Sequence, residues 1–243
     1  MAAGTLILLF VAYQLWGTGI AEARSQGDLK TDFKELQQQA QPAVDPTRTE
    51  FAPAAPTGSA IAIIKIPRIG VEKAVVQGVG VDDLKKGPGH YPNTPMPGQV
   101  GNAAIAGHRT TYGAPFYDFD QLQPKDAILV TTVQGSFRYE VIETKIVRPS
   151  QVEVLKNTPD NRLTLTTCHP RFSAAQRMVV TAQLVGNALP APPPDPKADT
   201  NPEELTEDPA GLSGDQAPRG PAVLAGLAFI GVWAIAYIIR RQV

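Results

Sequence analysis

The chain has 243 residues, of which 43% are hydrophobic and 19% charged, and its formal net charge is -1. That length allows one sizeable domain with attachments or two small ones, and the balanced charge leaves no basic patch that would engage nucleic acid. A single cysteine excludes a cysteine-type metal site and an intramolecular disulfide, and three histidines (His90, His108 and His169) are the whole supply for cysteine–histidine chemistry.

The first element is "AAGTLILLFVAYQLWGTGIA", residues 2–21, which carries no formal charge and closes on Tyr13 and Trp16, residues favoured at a membrane interface. It has about the ~20 residues a bilayer requires of a helix. A cleaved signal peptide is the competing reading, but the stretch lacks a basic n-region and its apolar run is long, so an uncleaved anchor is expected. Residues 22–59 are polar and pass from a helix-compatible stretch into Pro/Ala punctuation. They read as a stalk or linker and not as part of a core.

Residues 60–186 form the globular part. "AIAIIKI" and "VEKAVVQG" predict two strands joined around Pro67–Gly70, and "NAAIAGH" (Asn102–His108) predicts another. Next comes a hairpin in "DAILVTTVQGSFRYEVIETKIV", turning at Gly135, and then the strands "RLTLTTC" and "QRMVVTAQLVG". Pro/Gly-rich loops separate them, with one short helix near Ser150–Lys156. Seven or eight short strands and few helices predict an all-β barrel or sandwich.

Residues 187–220 are rich in proline and acidic side chains and nearly free of large apolar ones. Such a stretch buries too little surface to offset its ordering entropy, so a disordered tether is expected. "PAVLAGLAFIGVWAIAYII", residues 221–239, is a second uncharged span followed by Arg240 and Arg241. The arginine pair predicts a cytoplasmic C-terminus. Two spans then return the N-terminus to the same side and leave the domain between them outside the cell.

Cys168 closes a strand and leads into "HPRF". A lone cysteine is commonly a small buried hydrophobe, yet a thiol kept outside the cell is exposed to oxidation and so points to a use. A nucleophilic thiol needs a base or cation beside it. His169 neighbours Cys168 in sequence and so faces the other side of the strand. His90 sits in a Gly/Pro loop and is compatible with packing alone. His108 ends an apolar strand, where a barrel presents an acid/base group from a rigid support; the plainer alternative is a histidine bonded to a backbone carbonyl. Arg177 starts the strand after Cys168, and the intervening loop brings the two ends together. A guanidinium there can stabilise charge on a tetrahedral intermediate, although Arg109 and Arg171 are rivals for that role.

"TLTTC" followed nine positions later by arginine, with "GNAAIAGHR" upstream, resembles the sortase family of bacterial cysteine transpeptidases. "GPGHYPNTPMPGQVGN" is similar to the loop these enzymes carry before the histidine strand, so the likeness spans about residues 60–186. The resemblance implies a closed β-barrel of about eight strands with few short helices, here flanked by two transmembrane helices. It implies Cys168 as nucleophile, His108 as acid/base and Arg177 as the oxyanion or substrate-orienting group. "AGHRTTYGAPF" and "TCHPRFSAAQR" resemble class E sortases of Gram-positive actinobacteria. Class C, pilin-polymerising sortases also often carry two membrane segments, but the family's lid needs an aromatic where "VDPTRTEF" has Thr47, and that stretch reads as linker.

The activity so implied is cleavage of an LPxTG- or LAxTG-like sorting signal after threonine and transfer to an amine of a lipid-linked cell-wall precursor or a protein. Expected partners are secreted proteins with a C-terminal sorting signal, that acceptor and the bacterial plasma membrane. No cofactor or metal site is implied by any constellation in the chain. Thr166 and Thr167 are expected to line the groove, and Tyr112 to choose between proline and alanine in the signal. A class C-like pilin-polymerising sortase, a hydrolysing cysteine peptidase and a catalytically silent membrane-anchored surface scaffold are the alternatives. An L,D-transpeptidase is excluded by the absence of its Ser-x-Gly-Cys type motif.

Overall fold

The computed structural model describes residues 4–5, 17–40 and 55–189. Eight strands run in chain order: β1 Ala60–Ile66, β2 Val71–Gln77, β3 Gly89–His90, β4 Asn102–Ala106, β5 Ala127–Thr132, β6 Gly135–Val147, β7 Arg162–His169 and β8 Gln176–Val185. Two α-helices, α1 Thr18–Ala40 and α2 Val81–Leu84, and short 3-10 turns accompany them. The strands close into a barrel in the order β1-β2-β3-β4-β7-β8-β6-β5. The expected all-β barrel of about eight strands is therefore the fold.

Alternation builds the interior. In β5 every second residue is buried, the period-2 pattern of a wall with one dry face. Ile64, Ile105, Ile128, Val130, Leu163, Leu165 and Val180 share that interior. β4 and β7 are buried on both faces because a second layer covers their outer side, where Tyr91, Val152 and Leu155 pack with Ala104, Ala106 and Val179. This is why they read as near-continuous apolar or β-branched runs.

β4 and β7 pair in parallel, Asn102 with Arg162 through Ala106 with Thr166. β7 and β8 pair antiparallel, with Cys168 opposite Arg177. Only these two registers are needed to place the site.

The main departure from expectation lies before the barrel. Residues 18–40, read largely as stalk, form a 23-residue helix. Thr18, Glu22, Gln26, Leu29 and Phe33 are its buried residues, and their three- and four-residue spacing puts them on one face. Leu29 and Phe33 pack with Ala60, Ala74 and Val76 of the barrel wall; each such side chain contributes about 2 kcal/mol of burial.

Gln26 acts as a piece of strand. Its Nε2 donates to the Ala74 carbonyl (3.0 Å), and the Ala74 N–H donates to its Oε1 (2.7 Å). β3 is too short to reach Ala74, since it meets β2 only at Val76 and Gln77. The side-chain amide satisfies the backbone groups that a longer neighbour would have taken.

Among the described residues, no helix is long and apolar enough to cross a membrane. Of the expected span 2–21, only residues 4–5 and 17–21 are described. The second span at 221–239, "VDPTRTEF" and most of the 187–220 tether lie outside the described residues.

Candidate active site

Three neighbouring strands align the three predicted residues. The β4–β7 pairing keeps a constant offset that carries past the end of β4: the Gly107 N–H donates to the Thr166 carbonyl (3.0 Å), and Thr167 Oγ1 donates to the Gly107 carbonyl (2.8 Å). Extending the register by one more residue puts His108 beside Cys168. On the other side Cys168 is the cross-strand partner of Arg177. Residues opposite each other in such a pair share a face, with Cβ atoms about 5 Å apart. His108, Cys168 and Arg177 thus form one row on the outer face, because their strands' alternate residues Ile105, Leu165 and Val180 point inward.

A cavity of about 290 Å³ opens over His108 and Cys168. His108, Arg109, Thr110 and Thr111 line one side, Cys168 the floor, and Phe172, Ser173 and Ala174 of the β7–β8 loop the other, while Arg177 does not itself border it. Cys168 is half-buried, so its sulfur borders the cavity without being sealed in the core. His108 and Arg177 are buried. Phe172 is 76% exposed at the rim, an aromatic side chain presented to solvent.

Arg177 is only 2% exposed. Its Nη1 donates to the carbonyls of Ala174 (2.7 Å) and Gln176 (2.8 Å). One amino group of the guanidinium is thereby fixed to the loop that walls the cavity, and the planar fork is held in one orientation.

The rival arginines are both ion-paired. Arg109 borders the cavity, but its donors are engaged: Nη2 donates to Asp120 (2.8 Å), Nε to the Tyr117 carbonyl (2.8 Å), and Nη1 to the Cys168 carbonyl (3.3 Å) and the Met178 sulfur (3.5 Å). Burial lowers its pKa from the ordinary value, against the pull of Asp120. Arg171 bonds Asp118 (3.3 Å) and Asp120 (2.8 Å) and stacks over Tyr117, 4.4 Å from the ring centroid. Two arginines and two carboxylates therefore tie the β7–β8 loop to the loop that follows His108.

The remaining predicted residues divide. Tyr112 belongs to the His108 loop, with ring centroids 5.0 Å apart and a tilt of 36°, and adopts a left-handed φ of 49°. Thr166 and Thr167, expected to line the groove, are buried and are not among the residues bordering the cavity. Thr166 Oγ1 lies 3.1 Å from Tyr91 Oη, in the outer layer, and Thr167 carries the Gly107 carbonyl. Thr166 thus packs beside the row on the outer face, and Thr167 supports it from behind.

His90 is a packing histidine. Its Nε2 donates to the Pro95 carbonyl (3.0 Å), and Nδ1 lies 2.9 Å from the Gln77 side-chain oxygen. Burial pushes its pKa down to about 4, partly opposed by the Pro95 bond. His169 follows Cys168 on β7 and does not border the cavity. Among the described residues, no group of three His, Cys, Asp or Glu is disposed to hold a metal ion.

Sequence reasoning missed the lining residues Thr110, Thr111, Phe172, Ser173 and Ala174. The available signal was proximity in sequence, since Thr110 and Thr111 follow within three residues of His108 and Phe172–Ala174 lie in the short loop between Cys168 and Arg177.

Comparison with known proteins agrees with this geometry. The sortase domain model matches residues 64–185. Sortase SrtE1 of Streptomyces coelicolor is 33% identical over 202 residues, which is 75% of this chain and 54% of that protein. The chain thus spans about half the length of that relative. A sortase D5 transpeptidase of Clostridium perfringens superposes with a TM-score of 0.55 at 32% identity, covering 68% of this chain and 99% of the other. The crystal structure of sortase E1 from S. coelicolor, with a tripeptide in its active site, gives 0.50 at 33% identity over 54% of this chain and 91% of that one. The class E likeness carried by "AGHRTTYGAPF" and "TCHPRFSAAQR" agrees with these relatives. A matched domain that ends on β8, with a cysteine and a histidine bordering an open cavity and an arginine paired with the cysteine on the next strand, makes this chain a member of the sortase family of cysteine transpeptidases, most similar to its class E branch.

Proposed function

We propose that the chain is a membrane-anchored transpeptidase that cleaves an LPxTG- or LAxTG-like signal after threonine and transfers the protein to an amine. The observation that carries this reading is the shared row of His108, Cys168 and Arg177, with His108 and Cys168 bordering a solvent-open cavity. The Cys168 thiolate attacks the threonine carbonyl carbon, forming a C–S bond, and the Arg177 fork stabilises the oxygen that gains charge. His108 delivers a proton to the departing glycine nitrogen as the C–N bond breaks, leaving a thioester. An incoming amine then gives a proton to His108 and attacks the thioester, and the thiolate departs.

The acceptor is an amine of a lipid-linked cell-wall precursor or of a second protein. Spans at 2–21 and 221–239 hold the enzyme in the bacterial plasma membrane with both termini cytoplasmic and the barrel outside. Tethering enzyme, sorting-signal protein and lipid-linked acceptor on one surface raises their effective concentration. Tyr112, beside the histidine, is the proposed selector between proline and alanine.

The test is turnover of fluorogenic LPxTG and LAxTG peptides with an added amine, followed by mass spectrometry. Wild type is expected to give a thioacyl-enzyme and a ligated product, and Cys168→Ala neither, while still melting cooperatively. Turnover surviving in Cys168→Ala ends the assignment. Free acid without amine adduct favours a hydrolytic peptidase instead.

A further inference from the structure

Glu22 lies on α1, far in sequence from the cavity. Its carboxylate is 1% exposed and accepts a hydrogen bond from Lys73 Nζ of β2 at 2.6 Å. A Cβ built on Gly113 would overlap this carboxylate, so the acid rests directly against the backbone of the loop that begins at His108. That loop turns through three consecutive left-handed residues: Tyr112 (φ 49°), Gly113 (φ 70°) and Ala114 (φ 42°). Non-glycine residues in that region are strained and persist only where their surroundings hold them. Internal bonds run from the Ala114 N–H to Thr111 (2.9 Å) and from the Phe116 N–H to His108 (3.1 Å). Arg171 holds the far end of this loop through Tyr117 and Asp118, and Glu22 supports the left-handed turn itself from outside the loop.

The choice of residue is informative. Burial raises the Glu22 pKa despite Lys73, so the charged form is not the arrangement that stability alone would favour. Its neighbour on the same helix face, Gln26, anchors α1 without charge through Ala74 and Lys86.

We infer that Glu22 is a positioning residue for catalysis: docked against Gly113, it holds the turn that packs Tyr112 on His108, so turnover depends on α1 being seated on the barrel. This rests on the transpeptidase reading above. It assigns the segment between membrane and barrel a part in the active site, beyond that of a spacer.

The experiment uses the full chain in detergent, with Glu22→Ala, Glu22→Gln and Gln26→Ala compared to wild type for peptide kinetics and for amide exchange. Glu22→Ala is expected to lower kcat roughly tenfold through a displaced acid/base group, with KM nearly unchanged and faster exchange at residues 111–114. Glu22→Gln keeps the shape and the contact with Lys73 and should restore most of kcat. Gln26→Ala should lower the melting temperature and speed exchange at Ala74, with kcat retained.

An unchanged kcat in Glu22→Ala overturns the inference. So does an equal loss of kcat in Gln26→Ala at full folding, because the effect would then follow from loosening α1 in general and not from the contact of Glu22 with Gly113. Should the alanine variant fail to fold, Glu22→Leu keeps the volume and is read in the same way. If wild type itself turns over no peptide, the transpeptidase reading fails. The exchange rates at 111–114 still decide whether Glu22 holds the loop.

Discussion

Arg109 and Cys168 are bonded through the barrel wall, the guanidinium Nη1 donating to the cysteine's own carbonyl oxygen at 3.3 Å. The residue after His108 thereby fixes the backbone of Cys168, while Asp120 holds that guanidinium from the other end at 2.8 Å. Arg109→Ala is expected to cost about 2 kcal/mol of stability, discounted because Asp120 is partly exposed, and to lower kcat/KM. Arg109→Lys should rescue neither, since a point charge cannot serve four acceptors at once. Thermal unfolding and peptide kinetics check both, and a lysine variant equal to wild type would refute the assignment.

Arg177→Ala should leave the barrel folded but reduce kcat/KM by roughly a hundredfold or more, the scale of losing one donor to a developing oxyanion. The loss should fall mainly on kcat. A rise in KM alone would instead give Arg177 a role in ground-state binding. Arg177→Lys should recover little, because the guanidinium Nη1 bridges two loop carbonyls.

His90 predicts an acid limit to stability. Its folded pKa, pushed down to about 4, lies below that of the unfolded chain, so the unfolded state binds the proton more readily. The stability that depends on a neutral ring is complete above about pH 6.5 and falls by about 1.4 kcal/mol per pH unit as pH drops from there towards 4. His90→Gln should be less stable at neutral pH and show a flatter profile in that window. Denaturant unfolding at several pH values provides the comparison, and parallel profiles for the two proteins would refute it.

Tyr112→Ala should change the ratio of kcat/KM for LAxTG and LPxTG peptides several-fold, about 1 kcal/mol of discrimination from one small apolar contact. Tyr112→Phe should leave that ratio intact if the ring face beside His108 makes the choice. Equal losses on both peptides would make Tyr112 a support for the histidine and nothing more.

Much of the fold was legible because it is written in local alternation. β5 buries every second residue, and the apolar "LTLTTC" run marks a wall strand covered on both sides. Cys168, His108 and Arg177 were legible through motif order. The helix α1 was not, because its buried stripe reads Thr18, Glu22, Gln26, Leu29 and Phe33. Three of those five are polar, and a hydrophobic period hardly registers. β3 was hidden for a different reason: two residues cannot display a period, and Gly89–His90 looked like loop. Thr166 and Thr167 were expected in the groove because they directly precede Cys168, but adjacency on a strand does not carry a side chain to the cavity, and their hydroxyls pair with Tyr91 and Gly107. Nothing in composition could tell Arg109 and Arg171 from Arg177. Only tertiary pairing with Asp118 and Asp120 separates them.

The β4–β7 ladder joins residues some sixty positions apart, as the Gly107–Thr167 bond illustrates, and no local turn sets its alignment. A slip of β7 by a single residue would invert its two faces, sending the sulfur into the barrel and presenting His169 in its place. Chemical competence in this molecule is therefore a matter of strand bookkeeping settled during folding. A chain that closes its barrel one step out of phase would be compact, soluble and inert.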